Sequence, residues 1–374
     1  MDRKNEAIWI ESRQRWEIQV QRNGVRPKFI SDLPGKKGKV NAERQADKWI
    51  ESGIIDKTTR VDKLFDKWIE ELKLSTSRDH WSQYESYGKN HIKPRIGAKK
   101  ISRLTQKDLQ NIINTAYNNP LKTKGKDKLS KKTLSNIRAC LMSFIKYCRG
   151  EKVTNWHPET LIIPAGAKNR KKTILTVDDI KTLFTVSTST WFGKPAEDMF
   201  IHAYRFLVLT GMRPGEMIGL KEGDIKGSRV TINRSINIRN EETDGKNENA
   251  QRTYTLDSHA LKVLKEQKHM LTKMGWISPY IFPGYDRKNI KETTLYKAWK
   301  RYCAANGIEN AKTPYELRHT FVSVNTNMPD SLKKLVVGHS ENMDTQGIYG
   351  HEKAGDMDKA AAYISEAFTS ILGW

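Results

Sequence analysis

A chain of 374 residues with 66 Lys and Arg against 43 Asp and Glu, a formal net charge of +23, is too long for one ordinary core and calls for an anionic partner. No run of 18 apolar residues exists to cross a membrane, and the charged opening MDRKNEAIWIESRQRW lacks the apolar stretch of a secretory signal. Cys140, Cys148 and Cys303 supply neither a disulfide framework nor a CxxC metal spacing, so the cytoplasm is the expected compartment.

The charge is unevenly placed. Residues 60–172 hold 26 Lys and Arg against 10 Asp and Glu, whereas residues 1–59 hold 13 against 9 and residues 173–374 hold 27 against 24. A basic block between two nearly balanced segments points to nucleic acid rather than to a merely solubilising surface.

In chain order, residues 1–59 predict a small sheet closed by one helix. Trp16, Ile18 and Val20 alternate with polar residues, Asn23-Gly24 signals a hairpin turn, and Arg26, Lys28 and Ile30 form a second short strand. Asn41 is expected to cap a helix running through Glu51, with Ala42, Ala46, Trp49 and Ile50 on one face. Residues 60–165 predict an all-helical domain. Leu64, Phe65, Trp68, Ile69 and Leu72 make one helical stripe. Thr105 opens a helix using Leu109, Ile112, Ile113 and Ala116, and Ser130 opens a longer one with Leu134, Ile137, Leu141, Ile145 and Cys148 inward.

Those stripes are core. The outer faces carry the candidate phosphate contacts: Lys93, Arg95, Lys99 and Lys100, then Lys122, Lys124, Lys126 and Lys128 in a polar loop, then Lys131 and Lys132. Residues 166–172, small and basic, form a linker. Thr176-Val-Asp-Asp179 then opens a helix, and residues 173–374 predict a mostly helical domain. A short β patch interrupts it, around Val230–Ile238 and then residues 251–256 after a polar turn.

Four segments of this last domain carry side chains suited to phosphate chemistry. The first is Thr210-Gly-Met-Arg-Pro-Gly-Glu216, where Gly211 ends one apolar helix and Pro214 suits the first turn of the next, leaving Arg213 at the junction. The second is Lys246 in the polar turn between strands. The third is Thr313-Pro-Tyr-Glu-Leu-Arg-His-Thr320, with Tyr315 and Arg318. The fourth is Val337-Gly-His339, followed by Tyr349 in Gly347-Ile-Tyr-Gly-His351. Singly, each has an ordinary structural explanation: a salt bridge, a solvated lysine, a core histidine, a packed tyrosine. Jointly they supply two guanidiniums, an ammonium, an imidazole and a phenol in one domain of a basic protein.

That order resembles the tyrosine recombinase (phage integrase) family, through the strings TGMRPGEMIGL, RTYTL, TPYELRHTF and VVGH…IYGH over about residues 205–351. The N-terminal sheet and the basic helical region also look like the arm-binding and core-binding domains of integrases from phages and conjugative transposons. The resemblance implies a multidomain, mainly α fold: an arm-type DNA-binding domain at 1–59 with a small sheet and helix, a helical core DNA-binding domain at 60–165, and a mostly helical catalytic domain at 173–374 with a small antiparallel sheet. It implies Tyr349 as nucleophile, Arg213 and Arg318 on the scissile phosphate, Lys246 as acid to the leaving 5′-oxygen, and His339 as a further phosphate contact. The family usually has His where this chain has Tyr315. A phenol, with an unperturbed pKa of about 10, is a poor base near neutral pH, so Tyr315 is expected to position the phosphate instead. His319 reads as structural, Glu216 as orienting a helix or pairing with a base, and His351 has no assigned role. The implied partners are double-stranded attachment sites and a homotetramer on DNA, with an excisionase or DNA-bending protein as a possible accessory. No cofactor or metal is implied, since a phosphotyrosine conserves the energy of the broken linkage. A topoisomerase of type IB kind and a catalytically silent DNA-binding protein are the alternatives. For the amphipathic tail Asp358–Trp374, docking on its own domain and on a neighbouring protomer both stay open.

Overall fold

The computed structural model describes residues 5–21, 26–52, 56–118, 128–169, 172–243, 251–309, 313–338 and 355–374, which divide into two compact units, Met1–Arg170 and Lys171–Trp374.

In the first unit, β1 (Ile8–Ile10), β2 (Arg15–Gln19) and β3 (Lys28–Ser31) form an antiparallel sheet with β2 in the centre. Register pairs Ile8 and Ile30 with Glu17, and Phe29 with Ile18. Alternation sends Trp16 and Ile18 to one face, where α1 (Gly35–Ser52) closes a core of Ile18, Val20, Ala42 and Ala46. The opposite face shows Arg15, Glu17, Gln19 and Lys28, and Glu17 there pairs with Arg15 at 2.7 Å, Lys28 at 2.8 Å and Arg13 at 3.4 Å. Hydrogen bonds from Lys28 and then Arg15 hold its carboxyl down at about 2.

Two expectations are corrected here. The sheet has a third strand, β1, ahead of the predicted pair. Helix α1 begins at Gly35 rather than at the Asn41 cap. The polar run Gly-Lys-Lys-Gly carries no apolar period, and it is tertiary packing that winds it. A Cβ on Gly38 would sit 2.7 Å from Trp16 Cδ1 and closer still to the Leu33 carbonyl.

The helical part contains α2 (Val61–Ser75), α3 (Arg78–Tyr87), a π-helical turn at Gly88–Ile92, α4 (Lys93–Ile96), α5 (Gln106–Asn118) and α6 (Lys131–Gly150). The predicted stripes form its core, with Phe65, Trp68 and Phe144 packed edge-on or tilted at centroid distances of 5.1–5.6 Å. Ser130 caps α6 by accepting from the Thr133 amide at 3.3 Å. The extended chain after α6 is pinned to α5 by two side-chain amides that mimic strand pairing. Gln106 exchanges two hydrogen bonds of 3.1 Å with the Glu159 backbone, and Gln110 exchanges two of 2.8 Å with the Ile162 backbone.

The second unit opens with α7 (Val177–Thr185), held by a reciprocal cap between Thr176 and Asp179. A hairpin follows, β4 (Thr188–Trp191) and β5 (Lys194–Glu197). It was not legible in the sequence because Pro195 and the polar alternation of Ser and Thr do not mark a strand. Helix α8 (Ile201–Thr210) is buried along its whole length and forms the centre of the domain. Next come α9 (Pro214–Ile218), β6 (Ile225–Lys226), β7 (Arg229–Ile232), β8 (Ser235–Ile236), β9 (Glu242–Thr243) and β10 (Arg252–Thr255), with sheet order β10-β7-β6 and a separate β8-β9 pair. Helices α10 (Ser258–Lys273), α11 (Glu292–Ala305), α12 (Tyr315–Val324), α13 (Asp330–Val337) and α14 (Asp356–Leu372) complete the unit. The fold is thus mainly helical, with a small N-terminal sheet and small antiparallel sheets in the C-terminal unit.

Helix α14 settles on its own domain, against α7, α10, α13 and β10. It adds Met357, Ala360, Ile364 and Phe368 to the main core. Beyond it, the Trp374 carbonyl lies 2.8 Å from His259 Nε2, and Lys262 Nζ stands 3.5 Å over the indole ring. The His259 Nδ1 in turn meets Asp257, the N-cap of α10, at 2.8 Å.

Candidate active site

One turn organises both arginines. Helix α8 ends at Gly211, whose φ of +63° is left-handed, and a Cβ there would lie 2.4 Å from the Phe321 ring. The Gly211 carbonyl, freed by the end of the helix, accepts from Arg318 Nη1 at 2.7 Å. Two residues on, Arg213 stands as the residue before α9, with Pro214 fixing the first turn. Its backbone N–H donates to Glu216 Oε2 at 2.9 Å, its Nη1 to Glu216 Oε1 at 2.6 Å, and its Nη2 to the Gly338 carbonyl at 2.9 Å.

Arg318 is 2% exposed, and its buried Nη2 finds no hydrogen-bond partner among the described residues. Burial, and then the like charge of Arg213, pull its pKa down to about 10; Tyr315 and Glu216 act the other way, and the group stays protonated near neutrality. Glu216 is equally deep at 2% exposed. Burial alone would raise its carboxyl, but Arg252 and Arg213 outweigh that and hold it below its usual range.

Arg252 also joins this cluster, and the sequence reading did not single it out. From the start of β10 it donates Nη1 and Nη2 to the two Glu216 oxygens at 3.2 and 3.0 Å, and Nε to the Val336 carbonyl at 2.7 Å. The signal was present. Arg252 shares strand parity with the buried Tyr254, and an arginine on a core-facing strand position implies a buried carboxylate partner.

Tyr315 begins α12, is 42% exposed, and meets the His319 ring edge-on at 5.1 Å. It stands close enough to Arg318 to act on that group's pKa. His319 is held below its ordinary pKa by burial, then by Lys172 and Arg318. Glu316 fixes the entry to α12, accepting from the Thr313 amide and the Thr173 hydroxyl, each at 2.8 Å. The structure therefore gathers Arg213, Arg318 and Tyr315, together with Glu216 and Arg252. The expected residues Lys246, His339 and Tyr349, and His351, lie outside the described residues.

Among the basic candidates of the first unit, Lys93 pairs with Asp66 and lies over the Phe65 ring. Lys99 pairs with Asp108 at 2.5 Å. Arg95 donates to the His91 carbonyl at 2.8 Å. Lys128 stands 4.6 Å over the Tyr117 ring. Lys100 joins a backbone bridge to Arg60, and Lys131 and Lys132 are exposed at the start of α6. Lys122, Lys124 and Lys126 are outside the described residues. Among the described residues no group of three or more His, Cys, Asp or Glu side chains could hold a metal ion, and no helix is long and apolar enough to cross a membrane.

The model of the phage integrase family matches residues 173–355, and that of the phage integrase N-terminal SAM-like domain matches residues 61–117. A tyrosine recombinase XerC-like protein of Caldanaerobacter subterraneus subsp. tengcongensis is 23% identical over 336 residues, covering 82% of each chain. An integrase of Streptomyces ambofaciens is 24% identical over 91% of this chain and 90% of its own. Among solved structures, the Tn1549 transposon integrase in complex with transposon right end DNA has the same fold at a TM-score of 0.61 and 17% identity, over 84% of this chain and 100% of that one. A lambda integrase tetramer bound to a Holliday junction gives 0.58 and 16%, over 91% and 93%. The chain belongs to the tyrosine recombinase, or phage integrase, family of site-specific recombination enzymes, which cleave and rejoin DNA.

Proposed function

We propose that this enzyme integrates or excises a mobile element through a covalent 3′-phosphotyrosine formed on Tyr349. The phenolate oxygen attacks the scissile phosphorus, the bond to the 5′-oxygen breaks, and Lys246 gives that oxygen a proton. Religation runs the same exchange in reverse with a 5′-hydroxyl as nucleophile, so no external energy source enters. Attack places extra charge on the non-bridging oxygens, which Arg213 and Arg318 receive as fixed, permanently charged forks. His339 adds a further contact, and Tyr315, exposed beside Arg318, donates a hydrogen bond to the phosphate rather than acting as base.

The observation that carries this reading is the pair of arginines anchored to one turn, with a buried Arg318 donor uncommitted among the described residues. The chain works on attachment-site duplexes as a homotetramer, as the lambda integrase tetramer on its Holliday junction suggests. Residues 60–165 supply the core DNA contacts, and the open face of the N-terminal sheet, with Arg13, Arg15 and Lys28, supplies a second DNA contact. A lambda integrase dimer bound to a core site covers 97% of this chain, which supports a counterpart for each region.

The test is incubation with nicked duplexes carrying the ends of the element. Wild type should give a denaturation-resistant adduct, and Tyr349→Phe should lose it while keeping affinity. Arg213→Ala should lower the cleavage rate by about 10²–10³-fold with little change in binding. Absence of any adduct from wild type would favour a silent binding protein, and relaxation of any supercoiled plasmid without a preferred site would favour a topoisomerase.

A further inference from the structure

We propose that Arg252 is a positioning residue for cleavage, setting both the direction and the available charge of Arg213; the inference rests on the reading of Arg213 as a phosphate contact. Two segments distant in sequence meet on one buried carboxylate, and a third holds their guanidiniums. Arg213 reaches Glu216 from the junction before α9, and Arg252 reaches it from β10. Each guanidinium also takes a carbonyl from the last turn of α13, Arg213 that of Gly338 and Arg252 that of Val336. The end of a helix leaves its final carbonyls without intrahelical partners and carries a partial negative charge, so two cations are well matched to it. The chain leaves this turn directly into His339. A single clasp thus orients one arginine and fixes the departure point of the segment that follows.

The balance of charge gives the clasp its second effect. A buried glutamate facing Arg213 alone would neutralise it and draw its fork onto the carboxylate. With Arg252 sharing both Glu216 oxygens, two cations face this one carboxylate among the described residues, and Arg213 retains positive charge for an incoming phosphate. Arg252 need not touch DNA for this. Lysine cannot replace it fully, because one ammonium cannot span two carboxylate oxygens and a carbonyl in the same plane.

The experiment is single-turnover cleavage by the full chain of two nicked duplexes, one with the natural scissile phosphate and one with an uncharged methylphosphonate there. Binding is followed by gel shift. On the natural substrate, Arg252→Gln should cleave about 10–10²-fold more slowly, below the loss of a direct donor, while binding changes less than about threefold. Arg252→Lys should fall between the two. On the methylphosphonate, which has little charge for Arg213 to neutralise, the gap between wild type and either variant should narrow to a few-fold. Adding Glu216→Gln to Arg252→Gln should lower the rate by less than the product of the single effects. An unchanged rate overturns the proposal. So does an equal loss on both substrates, which assigns Arg252 to general folding; should Arg252→Gln not fold, the Lys variant decides on the same comparison. If Arg213→Ala itself cleaves the natural duplex like wild type, the reading of Arg213 fails instead.

Discussion

Gly211 offers a direct test of how the turn holds the site. Its φ of +63° costs an L side chain about 1–2 kcal/mol. The added Cβ would lie 2.4, 2.8 and 2.9 Å from Phe321 Cδ1, Cγ and Cε1, and Phe321 is fully buried, so overpacking adds about 1–3 kcal/mol. Gly211→Ala should therefore destabilise the C-terminal unit by about 2–5 kcal/mol. At roughly 2–4 °C per kcal/mol for a domain of this size, that is a drop on the order of 4–20 °C in its calorimetric transition. The two contributions separate by variant. Gly211→Asn should recover part of the backbone strain and none of the clash, whereas Phe321→Leu added to Gly211→Ala should recover part of the clash. Because the Gly211 carbonyl holds Arg318, the rate of adduct formation at a temperature where the variant is folded should fall as well. A transition within about 1 °C of wild type together with a normal cleavage rate would refute both the assigned strain and the role of this turn.

Three further outcomes are expected. Truncation before Ala360 removes Ile364 and Phe368 from the main core, and Phe368→Ala alone should cost about 3–5 kcal/mol in urea unfolding, so the truncated chain should lose fold and cleavage together rather than strand exchange alone. His259 is held above its ordinary pKa by Asp257 and the Trp374 carbonyl, burial opposing; a raised folded-state pKa means that its stabilisation is complete below about 6.5 and fades as pH rises through the folded value. The stability gap between wild type and His259→Gln should close in that direction, and a gap that widens with pH would contradict the assignment. Replacing Lys122, Lys124, Lys126 and Lys128 together should flatten the dependence of log K on log salt by up to about 0.9 for each phosphate no longer neutralised, and an unchanged slope would mean that these lysines do not touch DNA.

Much of the helical architecture was legible because its determinants are local. The Thr176–Asp179 cap, the Ser130 cap and the apolar stripes of α2, α5 and α6 are each written within one or two turns of chain. The same holds for the Arg213 junction, since Gly211 and Pro214 carry their own backbone instructions. What escaped was fixed by distant packing. The first turns of α1 are wound against Leu33 and Trp16, β1 exists only by pairing with β2, and the β4–β5 hairpin gives no apolar alternation. Arg252 was hidden for a related reason. Its strand position marks it as buried, but that its partner is Glu216, already engaged by Arg213, is a property of three segments meeting in space. The tail had two placements open in the sequence, and its apolar face found room in its own domain.

The uncommitted donor of Arg318 has a consequence for engineering. A buried N–H with no acceptor among the described residues costs stability wherever none is supplied, and the natural remedy is to supply one. A nearby substitution that places a carbonyl or amide oxygen against Nη2 would be selected by any screen for heat resistance. The same oxygen would then compete with the substrate for the fork. Thermostable variants drawn from this region should accordingly turn over slowly, and the sluggish ones will be those that improved most on heating.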